Sequence, residues 1–277
     1  VVDIDEPEDI TEEVDAVEFG RIIHGNMEQL YQNFNGKIVS KPMIEEILSQ
    51  PKLIIDTIDK ILTKTFSKSK QASVEELSGR ILLARNAIIH TIKMMLKVDA
   101  ERAPFQLLNH EQEVSYPIKI LDSAIVSDIK LGGFVDRIEQ NEGTIHAIDY
   151  KTGKYEDSKG KFEDVDELFS PSKIEKRKEV FQTFCYSLAL TQIYPDKPIK
   201  PSVWFIKNVK NSSNFDIEIE SRTKKSPVND FREFKQEFEV RLTELLSEIF
   251  SQQIPFSQTT DAKRCKTCPY NGICGKD

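Results

Sequence analysis

Several things are missing from this 277-residue sequence, and each absence removes a class of answers. No stretch of apolar residues approaches the length needed to cross a bilayer, and no leader peptide is visible, so a membrane role is not expected. There is no excess of positive charge: 38 Lys and Arg stand against 46 Asp and Glu, a formal net charge of −8. This counts against broad, nonspecific coating of nucleic acid, but not against local phosphate contacts. Cysteine is scarce and uneven. Three of the four lie in the last thirteen residues, a pattern for metal binding in a reducing, cytoplasmic setting, not for a disulfide framework.

What is present fits a soluble globular chain, with 39% hydrophobic and 30% charged residues, long enough for one large domain with a helical insertion. The chain begins with Val1 instead of Met, and is expected to be a piece of a longer protein. Residues 1–15 are acidic and aperiodic, an extended lead-in. Residues 17–34 carry Phe19, Ile23, Met27, Leu30 and Phe34 at helical steps. His24 sits on the shoulder of that stripe, one turn from Gly20 and Glu28. Two short helices are expected over 42–50 and 51–65, then a basic connector over 63–70. Ser73-Val74-Glu75-Glu76 reads as a capping box opening a long amphipathic helix.

The chemistry concentrates in residues 132–154, GGFVDRIEQNEGTIHAIDYKTGK, which read as two strands around a turn at Asn141-Glu142-Gly143. Asp149 and Lys151 share a strand face, and a neighbouring strand can bring Asp136 beside them. Two close carboxylates repel unless something positive lies between them, and a divalent cation is the usual answer. Magnesium or manganese with a nearby ammonium is the equipment of metal-assisted phosphodiester hydrolysis.

Asp136 followed by Asp149-Tyr150-Lys151 resembles the D…(D/E)xK signature of the PD-(D/E)XK nuclease superfamily. The fuller strings Gly133-x-x-Asp136-Arg137-Ile138 and Asp149-Tyr150-Lys151-Thr152-Gly153 resemble its RecB/AddB branch, the nuclease domains of helicase–nucleases. The resemblance implies an α/β fold, a restriction-endonuclease-like core of central mixed sheet and flanking helices, and Mg²⁺- or Mn²⁺-dependent cleavage of DNA. It implies His24, from a G-x-x-x-H-x-x-x-E helix, as a metal ligand with Asp136, Asp149 and the Tyr150 carbonyl, and Glu28 as a weaker candidate. A glutamate of the first strand, over 107–116, is a further candidate; Glu111 fits better than Glu113, but pattern alone leaves the register open. Gln182 and Tyr186 match the family's Q-x-x-x-Y motif on a helix over 172–194. Lys173, Lys176, Arg177 and Lys178 crowd the start of that helix, where cations oppose its dipole, and are candidates for DNA contact.

The rest of the chain divides accordingly: 1–34 the lead-in and His helix, 35–103 a helical insertion, 104–254 the catalytic core and 255–277 a Cys-rich tail. A polar loop is expected from 154 to 171. A further strand and turn are expected over 119–131, and strands over 200–210 and 215–222 around an Asn/Ser turn at 211–214. A final apolar helix is expected to begin at Ser226-Pro227 as cap and first helical position. Cys265, Cys268 and Cys274 resemble the C-terminal part of an iron–sulfur motif in AddB-type and CRISPR-adaptation nucleases. A [4Fe–4S] cluster, or zinc, is expected in the intact protein, with the fourth ligand upstream of this chain and an incomplete site here. Three roles follow: an exonuclease domain joined to a helicase region, a stand-alone single-strand exonuclease, or a catalytically silent DNA-binding scaffold.

Overall fold

A computed structural model describes residues 14–66, 77, 79–120, 128–153, 156–206, 216–220, 225–255, 257–259, 262–266 and 268–275. The capping box at 73–76 and the turn at 211–214 lie outside them, as do most of the acidic lead-in and part of the basic connector. Helix α1 (Ala16–Tyr31) is followed by strand β1 (Ile38–Val39) and helices α2 (Lys41–Leu48), α3 (Pro51–Phe66) and α4 (Gly79–Arg102). Strands β2 (Phe105–Lys119), β3 (Asp128–Asn141) and β4 (Thr144–Lys151) come next. After β5 (Lys161–Phe162), α5 (Val165–Phe169) and α6 (Ile174–Ile193) come β6 (Ile199–Phe205), β7 (Glu218–Glu220), β8 (Lys225–Pro227), α7 (Arg232–Ile249) and the short α8 (Ala262–Cys265).

The five-stranded sheet has the order β1-β2-β3-β4-β6; its pairs are antiparallel except β4 with β6, which are parallel. This is the expected mixed α/β core. The β3–β4 turn needs left-handed backbone at both central positions, and Glu142 (φ +47°) and Gly143 (φ +85°) supply it. Alternation along β4 and β6 splits the apolar side chains between two cores. Ile148, Tyr150, Trp204 and Ile206 pack with α1–α4, whereas Ala147, Val203 and Phe205 pack with α6 and α7. The helices α2–α4 thus join α1 in packing against one face of the sheet, around Ile148, Tyr150 and Trp204.

Asp15 caps α1 by accepting the N–H groups of Val17 (2.8 Å) and Glu18 (2.7 Å), and Ile23, Met27 and Leu30 bury its inner stripe. Two expectations are corrected. Ser226 and Pro227 do not start a helix: they pair with β7 as β8, and α7 begins at Arg232. The stretch after Lys154 is not loop throughout, because Phe162, Val165 and Leu168 are buried and form β5 and α5. These apolar residues were hidden among Asp, Glu and Lys. The first core strand is also longer than expected at both ends.

No helix among the described residues is long and apolar enough to cross a membrane.

Candidate metal centre and catalytic site

Strands β2 and β3 meet at Glu111 and Asp136, and both change character there. Leu107 packs in the α1–α4 core, but Val114, Tyr116 and Ile118 pack in the other. Val135 belongs to the α6 core, yet Arg137, two residues on, meets Asp99 of α4. The hinge of this twist is Glu111, whose φ of +46° is left-handed backbone that a non-glycine residue rarely adopts. Its carboxylate lies 3.4 Å from His24 Nδ1. Glu113 is exposed, so the choice that pattern left open falls geometrically on Glu111.

His24 reaches the same point from α1. Its Nδ1 is 3.3 Å from Asp136 Oδ1, and its ring meets the Tyr150 ring edge-on at 5.5 Å. Gly20, one turn earlier, lets α1 come close: a Cβ there would lie 3.3 Å from Thr152 Oγ1. One ligating atom each from His24, Glu111 and Asp136 fall within 4.8 Å of one another, the one such trio among the described residues. Burial works against a charge on His24, but Asp136 and Glu111 outweigh it and lift its pKa to about 10. An imidazolium therefore sits where the surrounding carboxylates call for a cation.

Asp136 Oδ2 accepts the Tyr150 N–H at 2.5 Å, which ties β3 to the D-x-K strand. Asp149 is buried, and burial together with the neighbouring Asp136 pushes its pKa well above the usual carboxylate range. It is not part of the trio. Its Oδ2 lies 2.7 Å from Lys151 Nζ, which confirms that 149 and 151 share a face. Lys151 Nζ also donates to Gln182 Oε1 at 2.7 Å, and Gln182 Nε2 donates to the Tyr186 hydroxyl at 2.7 Å. Tyr186 rests on Gly133, where a Cβ would come 3.0 Å from its Cε1. The glycine before Asp136 is thus the space that the tyrosine occupies.

The donor set suits a hard divalent ion: carboxylate oxygens, one imidazole nitrogen, and a buried pair of like charges that a cation would relieve. A scan against protein-family models matches residues 2–275 to the PD-(D/E)XK nuclease superfamily. The chain belongs to this superfamily. A search of curated proteins finds no significant match. Superfamily membership carries metal-dependent nuclease chemistry with it.

Other candidates lie apart from this cluster. Glu28 is exposed and lines a cavity of about 540 Å³ with Arg21, Lys60 and Lys64. Lys173 and Arg177 both hold Glu167, at 2.9 and 3.0 Å, and burial of Glu167 is outweighed by these partners, which bring its pKa to about 2. Their place at a helix start is a clamp between α5 and α6. Lys176 and Lys178 are exposed. Cys265 is buried, Cys268 half-buried and Cys274 exposed, and their sulfurs do not form a set of three within 4.8 Å. Cys185 lies on α6 in a cavity of about 230 Å³ beside Gln182 and Tyr186, its thiol pushed up to about 12 by burial.

A buried ion network behind the site escaped sequence reading. Arg137 is fully buried and contacts Asp99 at 2.8 Å and Glu139 at 2.6 Å. Arg102 also bonds Glu139, and Tyr31 donates to Asp99 at 2.7 Å. The Arg137 guanidinium lies 4.6 Å from the Phe105 ring centroid. The network fastens α1 and α4 to β3 one residue past Asp136.

Proposed function

We propose that this chain is a Mg²⁺- or Mn²⁺-dependent deoxyribonuclease, an exonuclease domain of an AddB-like helicase–nuclease that processes double-strand ends. One observation carries the reading: His24, Glu111 and Asp136 converge beside the Asp149–Lys151–Gln182–Tyr186 chain in a member of a nuclease superfamily. His24, Glu111 and Asp136 would hold the ion, with Asp149 and the Tyr150 carbonyl as its further protein ligands. When bound, it polarises the phosphoryl oxygens and acidifies water. Asp149 and Gln182 fix the Lys151 ammonium, which steers the attacking water and steadies the phosphate. The Tyr186 hydroxyl accepts from Gln182 and keeps its own proton to donate to a phosphate oxygen. The helical layer of residues 35–103 and the Cys265-x-x-Cys268 tail support the AddB-like setting. There a helicase region is the partner, and a [4Fe–4S] cluster or zinc staples the tail in the intact protein.

The test is a gel assay on labelled single- and double-stranded DNA with Mg²⁺ or Mn²⁺. The wild type cuts; Lys151→Ala and Asp136→Ala lose at least about a hundredfold in rate. Equal cutting by all three overturns the site, and no cutting by the wild type favours a silent scaffold. Iron and sulfide analysis of the intact protein, purified without oxygen, separates cluster from zinc.

A further inference from the structure

On β3, residues leading to Asp136 alternate cleanly. Ile129, Leu131 and Gly133 are half-buried, whereas Lys130, Gly132 and Phe134 are exposed. Gly133 faces Tyr186 of α6 and Val135 is buried in the α6 core. Phe134 between them therefore points to the opposite side of the sheet, the side from which α1 brings His24. Phe134 is 56% exposed, two residues from Asp136. An exposed ring so close to the ligands offers a flat apolar surface to whatever enters the site. Further out, the same face stays exposed at Gly132 and Lys130. A Cβ at Gly132 would lie 2.9 Å from the Val114 carbonyl oxygen, so the β2–β3 pairing itself keeps that spot bare. Lys130 follows, exposed and without an ion pair among the described residues.

Aromatic ring, bare glycine and cation thus stand in a row on one strand face that runs directly into the metal centre. Aromatic platforms with cations along a path are how proteins hold a single nucleic-acid strand without reading its sequence. From Phe134 to Lys130 is about 13 Å, which a short run of nucleotides spans. Glu113, the exposed cross-strand partner of Phe134, disfavours a phosphate at the ring and so favours a base there.

We propose that the open face of the β2–β3 ribbon is a ledge for a single substrate strand, on which Phe134 stacks the base nearest the cut and Lys130 meets a phosphate further along. This deepens the nuclease reading and rests on it. The ledge selects unpaired nucleic acid, because a base inside a duplex does not offer its face to a ring.

The experiment measures binding of fluorescent single-stranded oligonucleotides by anisotropy in Ca²⁺, with an abasic site moved along the chain, and cleavage of the same oligonucleotides in Mg²⁺. In the wild type, one abasic position weakens binding roughly tenfold. In Phe134→Leu, the intact and abasic oligonucleotides bind alike, and Phe134→Tyr restores the difference. Lys130→Ala flattens the salt dependence of binding by roughly one phosphate contact. Because Phe134 is exposed, an unchanged melting temperature shows that the variants fold. If the wild type binds and cuts but Phe134→Leu keeps the full abasic effect, the ledge falls and the nuclease reading stands. If the wild type neither binds nor cuts, both fall.

Discussion

Lys151 donates to Gln182 Oε1 across 2.7 Å, so the D-x-K strand and the Q-x-x-x-Y helix are joined at the ammonium itself. Asp149 Oδ2 lies at the same distance from the ammonium, so Lys151 is held by both the strand and the helix. Gln182→Leu keeps the bulk of the side chain and removes the acceptor. Since it acts by positioning Lys151, the expected loss is about ten- to a hundredfold in kcat with little change in KM. Steady-state rates in Mg²⁺ check this. A loss confined to KM would mean that Gln182 serves substrate binding alone.

The approach of α1 to the site depends on Gly20. A side chain there meets Thr152 next to Lys151, and a branched one presses α1, with His24 on it, away from the strand. Gly20→Val is expected to weaken Mn²⁺ binding by roughly tenfold or more, by displacing a ligand it never touches. Titration calorimetry with Mn²⁺ measures it, and Gly20→Ser, whose hydroxyl can bond locally, should fall between Val and wild type. Equal affinities in all three would remove the packing argument.

Much of this site was legible because its signals are local. Asp149 and Lys151 share a face by strand alternation, and Gln182 and Tyr186 share one by helical spacing; each pair needs only its own element. Gly133 and Gly20 enter only as members of the family strings, and only the fold says that Tyr186 and Thr152 stand against them. What could not be read lies between elements. Arg137 and Asp99 are 38 residues apart in sequence, and nothing local announces that Arg137 is buried. The Glu111 backbone is left-handed at a residue type that seldom adopts it, so no pattern predicts the twist that separates it from Glu113. Ser226-Pro227 has the composition of a helix start, but pairing with β7 claimed it first. Lys173 and Arg177 looked unhelpful to their helix until Glu167, on the preceding one, supplied the partner.

The buried network predicts a pH dependence of stability. Burial disfavours the Glu139 carboxylate, yet Arg137 and Arg102 prevail and hold its pKa at about 2 instead of 4.5. A depressed folded-state value stabilises above the unfolded pKa and is lost as pH falls from about 4.5 towards 2. The shift corresponds to roughly 3 kcal/mol. Glu139→Gln should therefore lose about that much at pH 7 and show a weaker dependence on pH below 4.5. Urea melts at pH 7, 5 and 3 measure both. An unchanged acid branch would assign the acid sensitivity to other carboxylates.

His24 makes the metal centre proton-linked. Held between Asp136 and Glu111, it stays protonated up to about pH 10, yet an imidazole nitrogen can bind a cation only after losing that proton. The raised pKa adds stability that is complete below the unfolded value of 6.5 and fades as pH rises through 10. Adding Mn²⁺ at pH 7.5 should thus expel at least about one proton per ion, and affinity should climb with pH across the neutral range. Calorimetry in buffers of different ionisation enthalpy counts the protons. Burial and the neighbouring Asp136 also raise the Asp149 pKa, so His24→Gln separates the two sources: release should drop by about one proton in the variant, and what remains belongs to the carboxylate. Wild-type binding with no proton release would place the ion away from His24.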